Sequence, residues 1–295
     1  MKRQIGTDPI PSLTISEITA QVKHPYFSFS CAAVLFGIAL SAFNSLDTMD
    51  STSDSTAVAA QYVHHPADSR GHANHGWLDT YHSFSFANWH NPERMHFGAL
   101  RVLNDDYVAG GGGFGTHPHD NMEIVSIPLE GNLEHQDNMG NQAVIRSGDV
   151  QIMSAGTGVM HSEKNQSASD AVRFLQIWVY PNERDLQPRY DQESFDRSAE
   201  RNTLLPVVSP DGAQGVQMHQ SAWFHLGSWD QGHNESYRLH GANQGVYAFV
   251  LEGTVEIDGR PLNRRDGMGV WDTESIAISA SENARFLLME VPMEW

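Results

Sequence analysis

Leu129-Glu130-Gly131 returns as Leu251-Glu252-Gly253, 251 − 129 = 122 residues later. Each copy closes an apolar run and leads into a short strand-like stretch, NLEH after the first and TVEI after the second. A Gly/Asp turn and another apolar run follow both times: Gly148-Asp149 before VQIM, and Asp266-Gly267 before MGVW. A Leu-Glu-Gly turn alone says little, but its return with the same downstream order points to a duplicated β unit. From about residue 80 the chain is a series of short runs rich in Val, Ile, Phe, Trp and Tyr. Examples are Phe97–Leu103, Glu123–Leu129, Val150–Met153, Val172–Tyr180, Val246–Leu251, Thr254–Ile257 and Arg285–Val291. Gly, Asn, Asp and Pro separate them at the spacing of an all-β sandwich or barrel. No helical period is sustained, which argues against an α/β fold. The segment from about 181 to 206, rich in charge, Pro and Gln, reads as the connection between the two units.

Residues 1–48 stand apart. Lys2, Arg3 and Lys23 balance Asp8, Glu17 and Asp47, and the apolar run Phe27–Phe43 holds Cys31, the only cysteine of the chain. Three readings fit: a start upstream of the working protein, which would then begin at Met49; a signal peptide; or a marginal membrane anchor. No lipobox precedes Cys31, and residues 1–60 are set outside the fold. The formal charge of −18 therefore belongs to residues 49–295, where Lys164 is the one lysine. Such a chain is repelled by phosphate backbones, which excludes nucleic acid as a partner. The scarcity of lysine hints at a salt-adapted surface. A single cysteine excludes a disulfide framework and a Cys-based zinc site, so any metal must be held by His and carboxylate. At 40 % hydrophobic and 18 % charged residues, the chain can bury a sizeable core.

The chemistry concentrates between residues 111 and 165. The stretch GGGFGTHPHDNME carries His117 and His119, and AGTGVMHSEKN carries His161 and Glu163. Residues i and i+2 of a strand share a face, so each pair can point into one barrel. On neighbouring strands the pairs would gather three imidazoles and one carboxylate, a donor set suited to Fe(II), Mn, Ni, Cu or Zn. Glu123, four residues past His119, is expected to accept a hydrogen bond from one of these histidines, with direct ligation as the alternative. His64, His65, His72, His75, His82, His90 and His96 lack a repeated spacing and read as solvated or locally hydrogen-bonded. Asn104-Asp105-Asp106 reads as a strand-ending turn, because Asn and Asp favour turns. Gly110 to Gly113 is not a phosphate loop, since no P-loop Lys or Ser/Thr follows and no helix begins there. It reads as a flexible lip before the histidine pair.

With these motifs the chain resembles the pirin family of bicupins, close to the bacterial pirin-like quercetinase type. The carrying residues are RGHANHGWLDTYHSFSFANW (70–89), ALRVLNDD (99–106), GFGTHPHDNMEI (113–124), LEGNLEHQDNMGN (129–141), SGDVQIMSAGTGVMHSEKN (147–165) and LQIWVYP (175–181). The resemblance runs from about residue 62 to 295. It implies an all-β bicupin of two cupin-type barrels packed face to face, here 61–185 with the metal site and 186–295 without it. It also implies His117, His119, His161 and Glu163 as the metal ligands, leaving Glu123 outside. At the 122-residue offset His117 falls on Leu239 and His119 on Gly241, and no histidine follows His240, so the second barrel is expected to hold no metal. His240 is expected to be structural. The metal implied is one divalent transition ion, Fe(II) first, with Cu, Ni, Mn, Zn or Co as alternatives. The activity implied is opening of the central ring of quercetin-like flavonols with O₂ and release of CO, with Glu163 as catalytic base. Alternatives are a metal-dependent regulator binding a transcription factor or metabolic enzyme, and a cupin oxidoreductase acting on another small aromatic. Trp77, Phe84, Phe86 and Trp89 are read as core rather than as a flavonol pocket. The expected molecule is a cytoplasmic monomer, with no membrane contact for its folded part, unless residues 1–48 act as a signal or anchor.

Overall fold

A computed structural model describes residues 59–295, and the readings of residues 1–58 lie outside the described residues. Among the described residues no helix is long and apolar enough to cross a membrane. The first strands are β1 (Gln61–His65), β2 (Gly71–Asn74), β3 (Leu78–His82), β4 (Leu100–Val108), β5 (Gly113–His119), β6 (Glu123–Glu130), β7 (Asn132–Asp137), β8 (Gln142–Arg146), β9 (Asp149–Ser154), β10 (Val159–Asn165) and β11 (Val172–Val179). There follow β12 (Arg189–Ser194), β13 (Leu204–Ser209), β14 (Val216–Gln217), β15 (Trp223–Trp229), β16 (Asn234–Arg238), β17 (Gln244–Glu252), β18 (Val255–Ile257), β19 (Arg260–Leu262), β20 (Gly267–Trp271), β21 (Ser275–Ala280) and β22 (Ala284–Pro292).

Each unit pairs a seven-stranded with a four-stranded sheet. The first has β12-β9-β6-β11-β4-β3-β2 over β5-β10-β7-β8, and the second has β1-β20-β17-β22-β15-β13-β14 over β16-β21-β18-β19. The bicupin architecture is therefore the observed one. The repeated Leu-Glu-Gly is structural in both units. Gly131 and Gly253 take φ of 73° and 71°. A Cβ on Gly131 would stand 2.8 Å from the Ala171 carbonyl oxygen, and one on Gly253 would overlap that of Asn283. Both obstructing residues directly precede the closing strand of their unit, β11 or β22. Only glycine fits a left-handed turn pressed this closely against backbone.

The two large sheets face each other, and this explains why their strands read as unbroken apolar runs. Along β17, Tyr247, Phe249 and Leu251 enter the core shared by both units, which also holds Leu100, Val125, Ile127, Leu175 and Ile177 from the first. The alternate residues Val246, Ala248 and Val250 point the other way and fill the second barrel with Trp229, Ile257, Ile278 and Phe286. The first barrel is filled differently. Its interior carries only small apolar clusters, around Leu133 and Phe174 and around Ile124 and Met153, and polar residues take the remaining inward positions.

The strands do not divide at residue 185. β12, from the second half of the chain, pairs with β9 in the first unit, Arg189 opposite Ser154. β1, at the start of the described chain, pairs with β20 in the second unit, Gln61 opposite Trp271. Asn104-Asp105-Asp106 is not a turn but the middle of β4. Its Asp105 points out of the barrel, where Arg70 of the first unit and Arg265 of the second each approach Oδ2 at 3.2 Å. Gly110 to Gly113 is a pinned turn rather than a loose lip. Gly111 N donates to Ser167 O at 2.8 Å and Gly112 N to Ala109 O at 3.0 Å.

Candidate metal centre

His117 and His119 occupy one face of β5, and His161 lies directly opposite His117 across the β5–β10 pairing. The His117 and His161 Nε2 atoms are 3.1 Å apart. The ring centroids of His119 and His161 are 4.9 Å apart. One nitrogen from each of the three rings falls within 4.8 Å of the others. His117 Nδ1 stands 2.8 Å from the Gly115 carbonyl, which can only accept, so Nδ1 donates and the Nε2 lone pair is free for a metal. Burial lowers the affinity of all three rings for a proton: His117 and His161 are shifted down, and His119 falls to about 3. The rings are therefore neutral at physiological pH, the form a metal binds.

Glu163 follows His161 on β10, past a register shift in the β5–β10 ladder. One of its oxygens groups with His161 and with His135 of β7 within 4.8 Å. Its carboxylate is held from the opposite sheet. Gln176 Nε2 on β11 donates to Oε2 at 2.6 Å. Ser126 Oγ on β6 lies 3.0 Å from Oε1 and 3.1 Å from Gln176 Oε1. Burial pushes Glu163 up to about 7, against the pull of these two hydrogen bonds. Three converging neutral imidazoles, with a carboxylate beside His161, make a donor set that suits a divalent transition ion.

Glu123 does not serve this centre as expected. Its Oε2 accepts from Ser154 Oγ at 2.9 Å and from His219 N at 3.1 Å, the latter in the second unit. Residues 120–122 turn the chain from β5 into β6, so strand parity does not carry from His119 to Glu123. His240 stacks on Trp223 with centroids 3.9 Å apart, and its Nδ1 meets Glu290 Oε2 at 2.8 Å.

A cavity opens beside the centre, lined by His117, His119 and Glu163 on one side and by Phe86, Phe114 and Trp178 along its walls. Phe86 thus lines the cavity rather than joining the core, while Phe84 is buried between the units as expected. Trp77 packs edge-on against Phe114. Of the upstream histidines, His64 and His72 are exposed and face Asp266 and Asp79. His65 is buried against the Tyr247 hydroxyl. His82 is buried on the cavity wall.

The sequence reading missed Ser126, Gln176 and His135. The first two left a signal: each is a polar residue flanked on both sides by buried apolar neighbours, in the stretches IVSIP and FLQI. A polar side chain in such a run needs a partner inside. His135 pairs with Asp137 at 3.0 Å, both side chains shut away from solvent.

Residues 63–179 match the family model described as Pirin, and residues 206–291 match the one described as Quercetinase C-terminal cupin domain. A quercetin 2,3-dioxygenase of Escherichia coli strain K12 is 44% identical over 228 residues, covering 77% of this chain and 96% of the relative. A pirin-like protein of Caulobacter vibrioides is 39% identical over 228 residues, covering 76% of this chain and 97% of that protein. Among solved structures, the bacterial pirin YhhW of Escherichia coli in complex with nickel(II) superposes with a TM-score of 0.75 at 40% identity, covering 79% of this chain and 99% of the other.

Proposed function

The chain belongs to the pirin family, and from that premise we propose that it is a metal-dependent dioxygenase that opens the central ring of quercetin-like flavonols with O₂ and releases CO. The single observation that carries the reading is the convergence of His117, His119 and His161, with Glu163 beside His161, next to an aromatic-lined cavity that His117, His119 and Glu163 also line. His117, His119, His161 and Glu163 are the proposed ligands of one divalent transition ion, Fe(II) first, and nickel(II) in the similar solved pirin supports a divalent ion. A divalent ion bound there supplies a positive charge that acidifies a neighbouring hydroxyl.

The chain's own residues account for the remainder. Glu163, the carboxylate beside the proposed metal position, is the proposed base that takes the 3-hydroxyl proton of a flavonol. Ser126 and Gln176 fix where that proton arrives, because they hold both oxygens of the carboxylate. Trp178, whose ring meets His119 with centroids 4.9 Å apart, and Phe86, 5.4 Å from Trp178, border a slot for a flat aromatic substrate and exclude water. The second barrel, packed with apolar side chains, supports the first from behind. The folded part is assigned to the cytoplasm.

The test loads the protein with Fe(II), Ni(II), Mn(II), Cu(II), Co(II) and Zn(II) in turn. O₂ uptake and CO release are measured with quercetin. The expected result is stoichiometric consumption and release with at least one metal. No turnover with any of them overturns the reading and favours a metal-dependent regulatory role.

A further inference from the structure

A row of polar side chains crosses the large sheet of the first barrel at one register. His82 of β3 pairs with Asn104 of β4, Asn104 with Gln176 of β11, and Gln176 with Ser126 of β6. Residues laterally opposite in a sheet share a face, so the row forms one floor inside the barrel. At one end Ser126 and Gln176 hold Glu163. At the other end is His82, with Asp106 diagonal to it on β4, where Asp106 pairs with Thr80. His82, Asn104 and Asp106 line the same cavity as His117, His119 and Glu163. Ring contacts join the two ends: His82 to Phe86 at 5.2 Å, Phe86 to Trp178 at 5.4 Å, and Trp178 to His119 at 4.9 Å.

The chemistry of the far end is set by one hydrogen bond. His82 Nδ1 stands 2.8 Å from Asn104 Oδ1, and an amide oxygen only accepts, so Nδ1 carries the proton. Nε2 is then a bare acceptor. It has no hydrogen-bond partner among the described residues, although His82 is almost fully buried. Burial also keeps the ring neutral, since it lowers the affinity of His82 for a second proton. An acceptor at a cavity wall takes its donor from outside the protein chain, from water or from a bound molecule. The Asp106 carboxyl beside it, raised to about 7 by burial, accepts when ionised. Acceptors at the far end, aromatic walls between, and a metal centre at the near end match a flat molecule with a second hydroxyl remote from the reacting one.

We propose that His82 and Asp106 are specificity-determining residues that read a hydroxyl on the pendant ring of the substrate. This deepens the dioxygenase reading and rests on it for the substrate class.

Binding is measured first, by quenching of tryptophan fluorescence in the nickel-loaded full chain. The probes are three flavonols with no, one or two hydroxyls on the pendant ring. The wild type is expected to bind the dihydroxylated flavonol about tenfold more tightly than the bare one, the value of one buried hydrogen bond. His82→Phe is expected to bring that ratio to within about twofold of one, and His82→Gln, which keeps an acceptor, to restore a preference. Asp106→Asn is an isosteric second variant that keeps the question open to refutation if His82→Phe fails to bind nickel, and it is expected to reduce the ratio as well. A wild-type ratio near one overturns the inference, as does an undiminished ratio in both His82→Phe and Asp106→Asn. O₂ uptake with the same flavonols separates the two claims. Selective binding without turnover with any metal keeps the recognition site and removes the dioxygenase reading. Turnover with no dependence on pendant hydroxyls keeps the reading and removes the recognition site.

Discussion

Glu163→Gln is expected to stabilise the metal-free protein at alkaline pH, although it weakens metal binding. Glu163 is shut away from solvent, and its carboxyl is raised from 4.5 to about 7 by burial. Below pH 4.5 the group is protonated in both folded and unfolded chains and costs nothing. As pH rises past 4.5 the unfolded chain loses this proton while the folded chain keeps it, so stability drains away until the folded group also ionises near 7. The gap of about 2.5 between the two values corresponds to roughly 3 kcal/mol, fully expressed above pH 7. Glutamine carries no such cost, and Ser126 and Gln176 offer its amide hydrogen-bond partners. Asp106 is raised to about 7 as well, chiefly by burial and to a lesser degree by the neighbouring Asp105 and Glu163 charges. Removing the Glu163 charge relieves Asp106, which adds to the gain in the variant. The assay is urea unfolding of both proteins in chelator from pH 5 to pH 8.5, following the first barrel. The variant should exceed the wild type only slightly near pH 5 and by up to about 3 kcal/mol at pH 8, most of the gap opening between pH 5 and 7. Added nickel should reverse the order, because a ligand that binds only the folded state stabilises in proportion to its affinity. A variant that is less stable than the wild type at pH 8 in chelator, or a gap that does not change with pH, refutes the reasoning.

Other consequences are direct. Gln176→Leu removes the 2.6 Å donor to Glu163 and should weaken nickel binding about 10–100-fold by calorimetry; unchanged affinity would show that Gln176 does not position the carboxylate. Asn165→Ala removes the amide that donates to the carbonyls of Val108, Ala109 and Asp170. It should cost at least about 2 kcal/mol in urea unfolding, and a loss below 1 kcal/mol would contradict the assigned bonds. Gly253→Ala should destabilise far more than Gly259→Ala. Both have φ near +70°, but a Cβ at 253 meets the Asn283 backbone and one at 259 meets nothing. Equal losses would mean that backbone strain alone governs both sites.

What could be read in advance followed from local rules. The histidines of β5 and β10 obey strand parity, so their convergence was legible from spacing. Glu123 was misjudged because the turn at 120–122 resets that parity. Asn104-Asp105-Asp106 carries turn composition, yet β4 holds it as strand. Asp105 finds two arginines outside the barrel, while Asn104 and Asp106 face the cavity. Tertiary partners of this kind override intrinsic β preference. The floor from His82 to Ser126 joins residues on four strands far apart in sequence, and no window along the chain brings them together. Sheet membership of β1 and β12 was hidden for the same reason.

That exchange of strands bears on synthesis. The residues of β1 leave the ribosome first among the described strands, but their partner in β20 comes about 200 residues later, Gln61 opposite Trp271. At ~5–20 residues per second, the interval is on the order of ten seconds or more. Throughout it the backbone of residues 61–65 has no strand partner within the chain and is open to pairing with others. The first barrel can close once β12 has emerged, while the opening segment waits for the second. The nascent chain is thus bound to present a free strand beside an already folded barrel. The long separation between β1 and its partner makes completion of the second large sheet a late step of synthesis.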